Sequence, residues 1–118
     1  DCYGGAEAHL EQEEERDIDG DFTYVWDQAK FDPISSHMTC HIHFHFDDGS
    51  KMRKAFSYDW RMWTLPEIRE LLEEAGFKKS TVYWEGTDEE EEEGNGEFTA
   101  AEEGEADPAW IAYIVAEK

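Results

Sequence analysis

The chain has 118 residues, with 31 acidic and 10 basic side chains and a formal net charge of -21 at pH 7. That length supports one small domain with a modest core. The charge repels phosphate and anionic lipid, so neither nucleic acid nor a membrane surface is expected as a partner, and no apolar run reaches the ~20 residues needed to span a bilayer.

The acids are unevenly placed. Residues 1–20 hold eight and residues 86–107 hold eleven, whereas residues 21–85 hold eleven acids against eight bases. The acidity therefore marks two solvated segments around a nearly balanced centre. Cys2 and Cys40 lack metal or redox spacing, and no signal peptide is apparent, so a cytoplasmic protein with free thiols is expected. The chain opens on Asp1, and the run DCYGG reads as the end of something, a short apolar turn with paired glycines and no preceding strand. A piece of a longer protein is expected.

Residues 6–19 read either as a helix by composition or as a mobile loop, because too few apolar positions exist to pack a face. Phe22, Tyr24 and Trp26 alternate with Thr23, Val25 and Asp27, which predicts a strand. Pro33 breaks it. In residues 38–46, Cys40, Ile42, Phe44 and Phe46 share one face and His41, His43 and His45 the other. The DDGS run that follows predicts a hairpin turn with Gly49 at positive φ, and a return strand over 51–58. A helix then begins at Thr64. Glu67 completes a capping box, Pro66 sits in the first turn, and Leu65, Ile68, Leu71, Leu72 and Ala75 form one apolar stripe. Gly76 predicts a left-handed cap. Residues 80–84 read as a strand. The Gly- and Glu-rich segment 86–107 reads as disordered or as a protruding hairpin loop. Residues 109–116, AWIAYIVA, are apolar on both faces, which predicts a central strand buried on both sides.

Three groups of side chains carry chemical possibilities. His41, His43 and His45 are weak metal candidates: same-face neighbours lie ~7 Å apart, while ligands converge to about 2 Å on one ion. The cations Lys51, Arg53 and Lys54, expected opposite them, also disfavour a metal. Asp47 and Asp48 read as turn residues. Tyr58, Trp60 and Trp63 read either as core packed against the helix, with Arg61 paired to a local acid, or as the wall of a pocket. Arginine among tryptophans can stack on their rings and grip a carboxylate.

Asp1-Cys2-Tyr3-Gly4-Gly5, then Trp63 to Phe77 (WTLPEIRELLEEAGF), then Val82-Tyr83-Trp84 and the final strand Trp110 to Ala116 resemble the C-terminal part of a class I S-adenosylmethionine-dependent methyltransferase. The resemblance implies an α/β fold, the C-terminal portion of a Rossmann-like sheet with an antiparallel β insert, the fragment itself being β-rich α+β. It divides one partial domain into a strand end over 1–5, a substrate-covering insert over 6–63, and the last helix and closing strand pair over 64–118. It implies S-adenosyl-L-methionine as cofactor, bound mainly by sequence not present here, with Tyr3, Gly4 and Gly5 near it. It also implies Tyr24, Trp26, Tyr58, Trp60 and Arg61 as substrate-binding residues and a small-molecule acceptor. No residue receives a catalytic role, and the fragment alone is expected to be inactive. Homodimerisation is expected through an exposed sheet edge. The competing readings are a non-enzymatic interaction module that recruits a partner by strand addition, and a metal-binding protein that uses the histidines.

Overall fold

Residues 1–88, 90 and 93–118 are described by a computed structural model. They form two compact units: residues 1–8 with 63–118, and residues 9–62.

In the second unit, β2 (Gln12–Ile18), β3 (Phe22–Asp32), β4 (His37–Phe46) and β5 (Lys51–Arg61) form an antiparallel sheet in that order. The turn between β4 and β5 forms as its residues predict. Gly49 has φ +88°, its N–H donates to the Phe46 carbonyl at 3.0 Å, and the Asp48 carboxylate accepts from the Ser50 N–H at 2.8 Å. Residues 12–18 are a strand, not the helix or loop that their composition suggests. Their partner β3 supplies the pairing that their own side chains do not encode.

The first unit holds β1 (Cys2–Gly4), β6 (Lys79–Asp88), β7 (Glu93–Ala100) and β8 (Trp110–Glu117), in the order β1-β8-β6-β7, together with the helix α1 (Leu65–Glu74). Thr64 caps α1: its hydroxyl accepts from the Glu67 N–H at 3.3 Å, and the Glu67 carboxylate accepts from the Thr64 N–H at 2.9 Å. At the other end the Gly76 N–H donates to the Glu73 carbonyl and the Phe77 N–H to the Leu72 carbonyl, with Gly76 at φ +100°. Those two bonds are the Schellman arrangement. No residue of α1 is fully buried, and a groove of about 500 Å³ runs between α1, β6 and residues 101–104.

Two expectations fail here. Every strand pairing among the described residues is antiparallel, and they hold two four-stranded sheets and one α-helix. The fold is therefore antiparallel β-rich, not an α/β Rossmann-like sheet. The misleading signal was β8, whose two apolar faces resemble those of a strand sandwiched between layers. It does lie between β1 and β6, and Ala112 is buried on one face. On the other face Ile111, Tyr113 and Val115 are 44%, 42% and 47% exposed. Within the segment 86–107, β7 pairs antiparallel with β6, which agrees with the hairpin alternative and not with disorder; residues 89, 91 and 92 lie outside the described residues. No helix among the described residues is long and apolar enough to cross a membrane.

Thr64→Ala removes the hydroxyl half of the capping box, and its loss should destabilise by about 1 kcal/mol. Thermal unfolding followed by circular dichroism should show a lower midpoint, and an unchanged midpoint would mean that the cap contributes nothing.

Candidate functional site

Strand alternation assigns the side chains of the β2–β5 sheet to two faces of different chemistry. Residues opposite one another in register share a face. Phe22, Tyr24, Trp26 and Gln28 of β3 lie opposite Phe46, Phe44, Ile42 and Cys40 of β4, and Cys40 and Met38 lie opposite Tyr58 and Trp60 of β5. That face is aromatic. Thr23, Val25 and Asp27 lie opposite His45, His43 and His41, and Thr39 and His37 lie opposite Asp59 and Arg61. That face is polar.

On the aromatic face, Trp26, Tyr58 and Trp60 form one cluster, although β4 separates the strands that carry them. Ring centroids are 6.0 Å apart for Trp26 and Trp60, 6.1 Å for Trp26 and Tyr58, and 4.8 Å for Tyr58 and Trp60. The rings can meet because the residue between Gln28 and Tyr58 in register is the small, buried Cys40. Burial pushes the Cys40 thiol above its ordinary value, and Asp27 adds to the rise. Phe44 continues the aromatic strip toward Tyr24 and Phe22, at 6.2 and 5.5 Å.

Trp26 is held by a polar anchor. Its indole N–H donates to Gln28 Oε1 at 3.0 Å, and Gln28 Nε2 donates to the Leu10 carbonyl at 2.7 Å. Gln28 is only 3% exposed. A buried amide must have its bonds met, so this chain fixes the Trp26 edge and ties the segment before β2 to the sheet. Beside Trp26 opens a depression of about 540 Å³, bordered by Glu14, Glu15, Arg16, Ile18, Tyr24 and Trp26. Glu14 lies opposite Trp26 in register, and Arg16 opposite Tyr24. Burial pushes the Tyr24 phenol above its ordinary value, the neighbouring Tyr58 phenol adds to this, and Arg16 opposes it.

Of the five residues expected to bind substrate, the sheet brings together Trp26, Tyr58 and Trp60, with Tyr24 further along the same face. Arg61 does not join them. It follows Trp60 directly in β5, so the pleat turns it to the polar face, opposite His37. Trp63 belongs to the other unit. Sequence reading missed Gln28 and Glu14. The spacing of Gln28 from Trp26, two residues along one strand, is the signal that places them on one face.

The histidines have separate partners instead of a common centre. A β-bulge puts Lys54 at φ +52°, and its N–H donates to His43 Nδ1 at 2.8 Å. His43 Nε2 then carries the proton and donates it to Asp27 Oδ2 at 2.9 Å. Both nitrogens are thereby used. His41 Nδ1 lies 2.7 Å from Ser57 Oγ, and His45 lies opposite Lys51 in register. Among the described residues no group of three or more His, Cys, Asp or Glu is placed to hold a metal ion.

Tyr3, Gly4 and Gly5 lie in the other unit, at and just after β1. Their glycines are accounted for by this chain's own packing. A Cβ at Gly4 would collide with the Trp110 indole, and one at Gly5, where φ is +108°, would collide with the Pro108 carbonyl. The space beside these glycines is thus filled from within, and the three residues alone do not form a cradle for a nucleoside. The chain matches no family model, no curated protein and no solved structure.

Gln28→Ala leaves the Leu10 carbonyl and the Trp26 indole N–H without their partner, at a cost of about 1–3 kcal/mol. Denaturant titration should show the loss, and tryptophan emission should report a less rigid Trp26; an unaltered midpoint and emission would remove the anchor from the account. The raised phenol of Tyr24 favours the neutral form in the folded state. Its stabilisation is therefore complete below the ordinary tyrosine value of about 10 and is lost as pH rises through the higher folded value. Tyr24→Phe should remove that part of the alkaline loss, which thermal melts across that range would measure.

Proposed function

We propose that this chain is the substrate-side part of an S-adenosylmethionine-dependent methyltransferase, and that the Trp26–Tyr58–Trp60 face is the wall against which the methyl acceptor lies. The observation that carries this reading is the aromatic cluster itself. It gathers rings from two non-adjacent strands, and a buried glutamine fixes one of them. Methyl transfer requires a nucleophile held in line in a cavity from which water is excluded, and rigid aromatic walls suit that need. The order of elements in the other unit also supports the reading, with a capped helix, a strand and a last apolar strand paired antiparallel to it. In this reading the methyl donor is held by sequence other than these 118 residues. The thiols Cys2 and Cys40 form no disulfide, which suits a cytoplasmic setting.

The test uses the natural gene product that carries this sequence. Trp60→Ala should lower methyl transfer from labelled donor by about tenfold or more, as truncation of a well-packed tryptophan does at a binding surface. Donor affinity, measured by calorimetry, should stay the same, and Arg61→Ala, on the opposite face, should change neither quantity. A gene product that neither binds the donor nor transfers methyl groups would reject the reading. The exposure of Ile111, Tyr113 and Val115 favours a second reading, a non-enzymatic interaction module, which that outcome would support.

A further inference from the structure

The chemistry of the aromatic face also bears on what it binds. Ring faces carry negative quadrupole charge and attract cations, most strongly when the cation sheds its water. Trp60 is 44% exposed, while Trp26 and Tyr58 are half-buried. Among the described residues in register on this face, the only charged side chains are Glu14 and Arg16. Glu14 stands opposite Trp26, the ring that belongs to the cluster. Arg16 stands opposite Tyr24, one same-face position further away. The charge opposite Trp26 in register is therefore negative, and Glu14 and Glu15 border the depression beside Trp26 together with Arg16, two acids against one base. Residues 9–62 add twelve acids against six bases, a field that concentrates cations and repels anions. That depression, of about 540 Å³, suits a small molecule; of the three clustered rings Trp26 borders it, and Tyr58 and Trp60 reach Trp26 from β5, on the far side from β2.

We infer that Trp26, Tyr58 and Trp60 bind an organic ammonium ion, with Glu14 as its counter-charge. The inference rests on the methyltransferase reading only in making that ligand the acceptor, which would then be an amine. Recognition of the cation by this face stands on the rings and Glu14 alone.

Choline serves as the probe, and its uncharged carbon isostere, with carbon in place of the nitrogen, serves as the control. Both are titrated into the natural gene product that carries this sequence, while tryptophan fluorescence and the Trp26 indole N–H resonance are followed. Choline is expected to bind about tenfold more tightly than the isostere, with added salt weakening only choline. Trp60→Ala should abolish the preference. Glu14→Gln, a substitution at an exposed strand position, should reduce it several-fold without touching the core. Circular dichroism identifies any variant that fails to fold, and Glu14→Gln then decides the matter alone. Equal affinity for the two probes, or no response to choline at high concentration, overturns the inference; a preference that Glu14→Gln leaves unchanged overturns the counter-charge. Choline recognition by a gene product that transfers no methyl group would reject the enzyme reading and leave this one standing. Methyl transfer without any preference for the cation would do the reverse.

Discussion

The register of β4 against β3 and β5 decides which side chains of residues 9–62 can meet. With Cys40 opposite both Gln28 and Tyr58, the rings of Trp26, Tyr58 and Trp60 project to one side and the imidazoles to the other. Because side chains alternate with a period of two, a slip by one residue would exchange the faces. Histidines would then stand where the rings pack, and the His43 bonds to Asp27 and Lys54 would be lost. Those bonds therefore matter although they perform no chemistry. The carboxylate and the bulged amide take opposite nitrogens of one ring, and this satisfies only one of the two possible faces. His43, one of the three histidines that the sequence offers as weak metal candidates, acts as a pin for the register.

What could be read without coordinates is what local chemistry specifies. The turn at Gly49 and the two ends of α1 depend on residues adjacent in the chain, and they form as their sequence predicts. The alternation in β4 and the first part of β3 was equally plain, because aromatic or apolar residues recur at every second position. β2 and β7 were not legible. QEEERDI and EGNGEFTA contain few of the residues that favour strands, and each is held in place by pairing with a neighbour. β8 misled in the opposite direction: its hydrophobicity predicts two covering layers, whereas the described residues leave Ile111, Tyr113 and Val115 open. The candidate site followed the same division. Trp26, Tyr58 and Trp60 were grouped through the resemblance, and the strand register places their rings on one face. Arg61 was grouped with them on proximity in sequence, and the pleat of the strand separates it from them. Gln28 escaped notice because a glutamine in a strand announces nothing until its two hydrogen-bond partners are known.

Residues 1–8 and 63–118 show another way in which bulky and small residues are matched. Trp110 packs against Trp84 at 5.1 Å and occupies the space beside Gly4, and Gly104 leaves room for the Trp84 ring. Gly4, one of the glycines that the resemblance places near a cofactor, is here a clearance for an indole. The same indoles cover one face of the β8 strand. On its other face Phe98 meets Tyr113 edge to face at 4.7 Å, so that the open side is ordered by ring contacts within the sheet.

The two sheets also have four outer strands, and what those strands carry determines how the molecule behaves when crowded. β1 has only three residues, too few to template a second chain. β2 carries Glu13, Glu14 and Glu15 in a row; β5 carries Lys51, Arg53 and Lys54 and is broken by the bulge; β7 carries Glu93 and Glu97 among glycines. Charge, bulges and brevity are the devices by which sheet proteins keep their rims from pairing. The acidic stretches that make this chain so strongly anionic thus have a use apart from solubility: the acidic rims of β2 and β7 repel one another between copies, which disfavours their edge-to-edge pairing.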